Sequence, residues 1–322
     1  MIDPLTGPIE TQISILDYLR QRGWKPARNY GDEIAGLCPL HRETTPSFYV
    51  NRRKQVFYCH GCGRGGGLAQ LRRWMEGSAL GSAPPTRSDP AGLMEATYRF
   101  YEQQLPLSAE ALAYLRQRGI DSPAVIRSLR IGYAPPACLR AYLWQYGFSS
   151  GQLRAAGILN RRGCDYFFRC LTFPLEEANS LYGRSIGNGW WKHRFLPRSK
   201  GGLYGWKQAQ EFPSVIVVEG LFDLAALWQA GFPQTIAALG AHLNPVQFAQ
   251  LSGCSTRRVY VCLDADRNGS GQRAARQLSG QLRQAGVEAL RVELPLGSDP
   301  AGLFAAGASA QDFQRWLERA RP

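Results

Sequence analysis

The chain has 322 residues, 44% hydrophobic and 11% aromatic, a composition that excludes a disordered protein and supplies cores for roughly two or three domains. Its formal charge of +13 and pI near 9.6 favour a polyanionic partner, because each neutralised phosphate releases condensed counterions. The N-terminal MIDPLTGPIETQ lacks the pattern of a signal peptide, and apolar runs such as Val215–Val218 fall far short of the ~20 residues of a membrane span, so no membrane partner and a cytoplasmic location are expected.

In chain order, residues 9 to 23 carry Ile13, Leu16 and Leu19 at helical spacing and end at Gly23, a helix stop. Short β-like runs follow: EIAGL, SFYVN and QVFY. Within them Cys38-Pro-Leu-His41 and Cys59-His-Gly-Cys62 form paired knuckles. Zinc takes four N or S ligands in a tetrahedron, and each knuckle delivers two from one turn. Cys38, His41, Cys59 and Cys62 are therefore the expected ligands of one structural Zn²⁺ in a zinc ribbon, with His60 left out because Cys59 and Cys62 alone keep the two-residue gap. Cys138, Cys164, Cys170, Cys254 and Cys262 are scattered and read as reduced small hydrophobes.

Between Glu43 and Glu76 there is no acidic residue, while Arg52, Arg53, Lys54, Arg64, Arg72 and Arg73 interleave with Phe48, Tyr49, Phe57 and Tyr58. Cations that track a backbone and rings that stack bases are the requirements for single-strand binding, and Arg52, Arg53 and Lys54 are the candidate contacts. Strand alternation expects either Tyr49 with Phe57, or Phe48 with Tyr58, to face inward together.

Residues 77–92, GSALGSAPPTRSDPAG, have linker composition, which places a zinc-binding ribbon domain at 1–76 and a flexible linker at 77–92. Residues 93 to 148 read as helices with Leu112, Leu115, Val125, Ile126 and Leu129 as core, and 166 to 205 turn strand-like and aromatic. The string YLRQRG occurs at 18–23 and 114–119, where Gly23 and Gly119 read as repeated helix caps. From 214 onward, strands at Val215–Val218, Thr235–Leu239, Val259–Leu263 and Leu290–Leu294 alternate with helices near 222–230, 245–251 and 271–285. The fold class is therefore α/β: the ribbon, a mixed α+β subdomain over 93–212, and a domain with a mostly parallel sheet over 213–322, ending in a short C-terminal helix.

Val215–Val218 runs into Glu219-Gly220-Leu-Phe-Asp223, and Val259–Leu263 into Asp264-Ala-Asp266. Parallel strands that end this way bring Glu219, Asp264 and Asp266 together at the carboxyl edge of the sheet, where ligands bind. Two anions ~4 Å apart repel by about 4 kcal/mol at an effective dielectric near 20. A hard divalent cation relieves that repulsion, and Mg²⁺ or Mn²⁺ suits oxygen donors.

The knuckles, followed by YFFRCLTFPL (166–175), YGRSI (182–186), KGGLYG (200–205), VVEGLFD (217–223), ALGAH (238–242) and LDADRNGSG (263–271), resemble bacterial DnaG-type primases in that order. The last three segments are similar to the Toprim signature, shared with type IA and type II topoisomerases, OLD-family nucleases and RecR-type recombination proteins. The resemblance implies a DNA primase that makes primers by metal-dependent nucleotidyl transfer, with Glu219, Asp264 and Asp266 as catalytic metal-binding acids and Asp223 and Asp299 as accessory acids. It also implies that Arg184, Lys192, Arg194 and Lys200, in a strip that continues through Arg198 to Lys207 without an acid, contact nucleic acid or nucleotide phosphates. The implied partners are single-stranded DNA template, nucleoside triphosphates, a primer–template hybrid and a replicative helicase in trans, with the protein associated with the nucleoid.

The chain departs from the family pattern at Asp299-Pro300-Ala301, where one accessory acid is missing, and the strip between Gly187 and Gly201 is shortened. The sequence stops soon after Pro300, without the family's helicase-binding domain or a P-loop, a form that suits a mobile genetic element. The competing readings are an inactive DNA-binding replication accessory protein, favoured by Ala301, and a Toprim nuclease or topoisomerase.

Overall fold

The computed structural model describes residues 13–53, 55–59, 62, 64–76, 90–187, 191–197, 200–253 and 258–322. Lys54, His60, Arg198, Cys254, the linker stretch 77–89 and the Arg73 side chain lie outside the described residues. No helix among the described residues is long and apolar enough to cross a membrane.

Helix α1 (Ile15–Gln21) begins at Ser14, whose hydroxyl accepts from Asp17 N at 3.1 Å. Ile13 lies outside it and is 37% exposed, whereas Leu16 and Leu19 are buried. The helix ends with Trp24 N donating to Leu19 O and Gly23 N to Arg20 O, with Gly23 at φ +77°. The second YLRQRG string repeats this, with Ile120 N to Leu115 O, Gly119 N to Arg116 O and Gly119 at φ +71°. Both strings thus perform the same left-handed capping, as their glycines predict.

An antiparallel sheet follows in the order β1 (Pro26–Tyr30), β2 (Glu33–Gly36), β3 (Phe48–Asn51), β4 (Val56–Cys59), β5 (Gly65–Gly66), closed by α2 (Leu68–Met75). Ile15, Leu19, Phe48, Val50, Phe57 and Leu71 form its core. The register pairs Tyr49 with Tyr58 and Val50 with Phe57, so Phe48 and Phe57 face inward together and the two tyrosines face outward together. This corrects both expected pairings: alternation within a strand is a local property, but which faces meet depends on the register between strands.

The chain continues as α3 (Pro90–Gln104), α4 (Ala109–Gln117), α5 (Pro123–Ser128), β6 (Gly132–Ala134), α6 (Leu139–Gln145) and α7 (Ser150–Ala155). Helix α3 starts at Pro90, inside the expected linker, and β6 interrupts a stretch that reads as helical. Leu115 and Leu129 are buried, and Leu112, Val125 and Ile126 pack against the same core. By contacts, the described residues up to Thr97 form one compact unit with Pro135–Phe168, and Tyr98–Ala134 forms another with Arg169–Pro322. Residues 135–168, which lie within the 93–212 span, thus share a compact unit with the ribbon, and Cys138 Sγ donates to Gly65 O at 3.2 Å. In the same unit the buried Asp165 carboxylate accepts from Leu139 N at 3.2 Å and Arg140 N at 3.4 Å, capping α6 from a distance. Among the described cysteines none is disulfide-bonded; Cys138, Cys170 and Cys262 are buried, but Cys164 is exposed, contrary to its reading as a small hydrophobe.

In the second unit, β6 pairs antiparallel with β7 (Cys170–Leu175), β7 with β8 (Ser180–Ser185), and β8 with β9 (His193–Phe195). After α8 (Trp206–Ala209) come β10 (Ser214–Val218), α9 (Leu221–Gln229), β11 (Thr235–Ala237), α10 (Pro245–Ser252), β12 (Arg258–Val261), α11 (Ser270–Gln284), β13 (Glu288–Arg291), α12 (Pro300–Ala305) and α13 (Ala310–Glu318). The sheet order is β11-β10-β12-β13, all parallel. The last strand lies earlier than the expected 290–294. Val215 and Val217 enter one core and Ile216 and Val218 the other. Each such burial contributes about 1.5–3 kcal/mol, which is why β10 reads as an uninterrupted apolar run. From β10 the chain steps to β11 on one side and then to β12 on the other, so a crevice opens beyond the carboxyl ends of β10 and β12.

Candidate metal centres and nucleic-acid interface

Cys38 follows β2, His41 sits on the next turn, Cys59 ends β4 and Cys62 lies in the turn toward β5. Their ligand atoms all lie within 4.8 Å of one another. Cys38 Sγ is 3.9 Å from Cys62 Sγ, and Cys59 Sγ is 3.9 Å from His41 Nδ1. A zinc–thiolate tetrahedron with bonds near 2.3 Å has edges of about 3.8 Å, so this Cys₃His set fits one structural zinc. Leu40 N donates to Cys38 Sγ and Cys62 N to Cys59 Sγ, both at 3.4 Å. The three thiols hydrogen-bond one another, which holds Cys59 far below its ordinary range and pushes Cys38 and Cys62 above theirs.

Sequence reasoning missed Glu43. Its carboxylate accepts from Cys38 N at 2.7 Å, Ser47 N at 3.2 Å and Ser47 Oγ at 2.5 Å, and lies 3.1 Å from His41 Nε2. It orients the imidazole so that Nδ1 faces the sulfurs. The one available signal was an acid two residues after the knuckle histidine in a segment otherwise free of acids.

On the outer face of the ribbon Tyr30 stacks on Tyr49, with centroids 6.5 Å apart and planes 16° apart, and Tyr58 stands opposite Tyr49. Arg52 and Arg53 are exposed beside this face, and Arg52 Nε lies 3.8 Å from Asp32 Oδ1. That acid comes from the β1–β2 turn and was invisible to a count taken between Glu43 and Glu76. Arg64 instead donates to Leu40 O at 2.7 Å and so braces the knuckle.

In the second unit the register sets Val217 of β10 beside Val261 of β12, and Cys262 N continues the ladder to Val217 O. Glu219 and Asp264 therefore meet at the crevice, where Asp264 N donates to Glu219 Oε1 at 3.4 Å. Asp264 is pushed up to about 8 by burial and then by the charges of Asp223, Glu219, Asp299 and Asp266. Glu219 is raised by burial, with Asp266 adding to it. Asp264 Oδ1 is buried and has no hydrogen-bond partner among the described residues. An orphaned buried carboxylate oxygen among mutually repelling acids is the donor set a hard divalent ion satisfies, so the residues fit such a cation. They are grouped but not drawn to one point: among the described residues only the Cys₃His set gathers three or more such donor atoms closely enough to hold an ion. Asp266 accepts from Ser270 Oγ at 2.6 Å, and Asp299 caps α12 by accepting from Gly302 N. Asp223, 5% exposed, accepts from Ala301 N at 3.1 Å and is raised to about 7 by burial and then by Asp299.

The basic strip converges on His193, whose imidazole is pushed down by burial and then by the charges of Arg184, Lys200 and Lys192. Arg184 donates to Tyr114 Oη at 3.2 Å and lies over the Phe222 ring, which Arg118 also covers. Arg194 stacks on Trp191 at 3.9 Å. Lys200 Nζ donates to Leu239 O at 2.9 Å, and the next residue, Gly240, donates its N–H to Glu219 O, so Lys200 reaches the acid-bearing edge of the sheet. His193, Arg118 and the Phe222 platform escaped sequence reasoning because none carries a spacing signature.

A Cys₃His ribbon in one unit and a parallel sheet with acids flanking its switch point in the other define a zinc-ribbon and Toprim protein. Family models agree, matching residues 5–80 as a CHC2 zinc finger, 100–189 as the N-terminal domain of the DNA primase catalytic core and 214–293 as a Toprim domain. The DNA primase of Aquifex aeolicus is 31% identical over 93% of this chain and 65% of its own length. That of Synechocystis is 30% identical over 91% and 54%. The crystal structure of the Aquifex aeolicus zinc-binding and RNA polymerase domains matches with a TM-score of 0.65 at 28% identity, over 96% of this chain and 83% of that one. A DnaG primase catalytic domain bound to single-stranded DNA matches with a TM-score of 0.62 at 28% identity, over 72% and 81%. The chain belongs to the DnaG-type DNA primase family. It spans 65% and 54% of the length of those two curated relatives.

Proposed function

We propose that the protein is a DNA-directed primase that joins nucleotides into short primers on a single-stranded DNA template. The observation that carries this reading is Glu219 meeting Asp264 at the switch point of a parallel sheet, with Lys200 on the same edge, in a chain that also holds a zinc ribbon.

Cys38, His41, Cys59 and Cys62 would hold one zinc that stabilises the ribbon, while Glu219, Asp264 and Asp266 would hold Mg²⁺ or Mn²⁺. When bound, the divalent cation neutralises phosphate charge and lowers the cost of forming the attacking oxyanion. The chain's own residues do the rest. Arg184, Lys192 and Lys200, gathered around a neutral-leaning His193, bind the phosphates of an incoming nucleoside triphosphate or of the primer–template hybrid. Tyr30, Tyr49 and Tyr58 stack template bases, and Arg52 and Arg53 track the template backbone. A helicase acting in trans would deliver the single strand.

The test is primer synthesis from radiolabelled nucleotides with wild type and Asp264→Asn. Template-dependent primers from the wild type alone are expected. DNA cleavage in place of synthesis would make this a Toprim nuclease, and tight DNA binding with neither activity would make it an accessory protein.

A further inference from the structure

Helix α12 begins with two carboxylates on its free N–H groups. Asp299 accepts from Gly302 N, and Asp223, reaching across from the first turn of α9, accepts from Ala301 N. Asp223 is 5% exposed and Ala301 is 1% exposed, so this bond lies under the crevice and not on its wall. The second Asp223 oxygen is turned back on its own helix: a Cβ placed on Gly220 would meet Asp223 Oδ2 at 2.8 Å. The cleft in front of the sheet is lined by Asp264, Asp266, Arg267, Gly297, Ser298 and Asp299; neither Asp223 nor Glu219 lines it, but Glu219 is half-buried at the strand end, whereas Asp223 is buried.

We infer that Asp223 is a positioning residue that clamps the start of α12 and thereby fixes Asp299 at the cleft, and that it is not a ligand of the divalent ion. The alanine at 301 belongs to the same device. A carboxylate there would be buried beside Asp223 and would repel it, whereas a methyl group packs and leaves the backbone N–H to the clamp. The missing acid is thus a consequence of how α12 is seated. A buried N–H left without its acceptor would cost stability and loosen the segment that carries Asp299.

The inference rests on the reading of Glu219, Asp264 and Asp266 as the cation site, and its test does not depend on primer synthesis. Mn²⁺ alone is the probe, titrated into the full chain by electron paramagnetic resonance, with hydrogen exchange at the Ala301 amide measured alongside. Asp223→Asn keeps an oxygen for Ala301 N–H, so Mn²⁺ stoichiometry and Ala301 protection should match wild type, and Mn²⁺ affinity should fall by less than in Asp223→Ala, only through the lost charge near Asp264. Asp223→Ala should expose the Ala301 amide to exchange and weaken Mn²⁺ binding by roughly 10–100-fold, the usual effect of losing a supporting residue. Loss of a bound ion in Asp223→Asn, to the extent seen in Asp264→Asn, would make Asp223 a ligand and overturn the inference. So would unchanged exchange and affinity in Asp223→Ala. If Asp223→Ala does not fold, the asparagine variant still decides. A wild type that binds Mn²⁺ but makes no primer would refute the proposed function and leave this result standing.

Discussion

The imidazole of His41 is held between two partners, with Nδ1 3.9 Å from Cys59 Sγ and Nε2 3.1 Å from the Glu43 carboxylate. Glu43 also receives Cys38 N, so one carboxylate sets the geometry of both members of the first knuckle. Glu43→Ala should lower zinc affinity by roughly 10–100-fold. Chelator competition checks this: wild-type zinc retention in the variant would mean that Glu43 orients nothing.

The acids of the crevice should stabilise activity and destabilise the metal-free fold. Asp264 has its folded pKa near 8 against an ordinary 3.8. A carboxyl raised on folding contributes stability fully below about 3.8 and loses it as pH rises toward about 8. In metal-free buffer Asp264→Asn should therefore melt above wild type, by a margin that grows between those two pH values. Mg²⁺ should raise the wild-type Tm more than that of the variant, and primer yield should vanish in Asp264→Asn and in Glu219→Gln. A variant that melts far below wild type without metal would make Asp264 structural.

Gly271 is required by packing. A Cβ there would lie 2.0 Å from Asp264 O, a main-chain atom and not the end of a flexible side chain. Gly271→Ala should displace the Asp264–Asp266 loop, costing about 1–3 kcal/mol of stability. Primer yield should fall nearly as far as in Asp264→Asn. Urea unfolding alongside the primer assay would detect both effects, and wild-type values in both would disprove the close contact.

The two aromatic faces of the ribbon should separate cleanly. Tyr49→Ala and Tyr58→Ala should weaken single-stranded DNA binding by about 1–3 kcal/mol each while the ribbon stays folded. Phe57→Ala, on the inner face, should cost about 3–5 kcal/mol of stability. Neutralising Arg52, Arg53 and Lys54 together should flatten the salt dependence of binding, since fewer counterions are then released. Fluorescence anisotropy over a salt series distinguishes a template contact from a solvated face, which would leave the slope unchanged.

What could be read in the one-dimensional chain is what short spacing controls. Two-residue knuckle gaps, β-branched runs that stop at an acid, and the glycine that ends YLRQRG are properties of single turns and strands. The grouping of Cys38, His41, Cys59 and Cys62, the strand-end positions of Glu219 and Asp264, and the caps at Gly23 and Gly119 were legible for that reason. Other features required the tertiary structure because their partners are distant in sequence or depend on register. Tyr49 faces outward with Tyr58 because of a pairing between strands, and Asp32 reaches Arg52 across a turn. Residues 135–168 join the ribbon over a long sequence separation, and Asp223 finds Ala301 N from another helix. Local periodicity records which side chains share a face; only the packed fold decides which faces, charges and backbone donors meet.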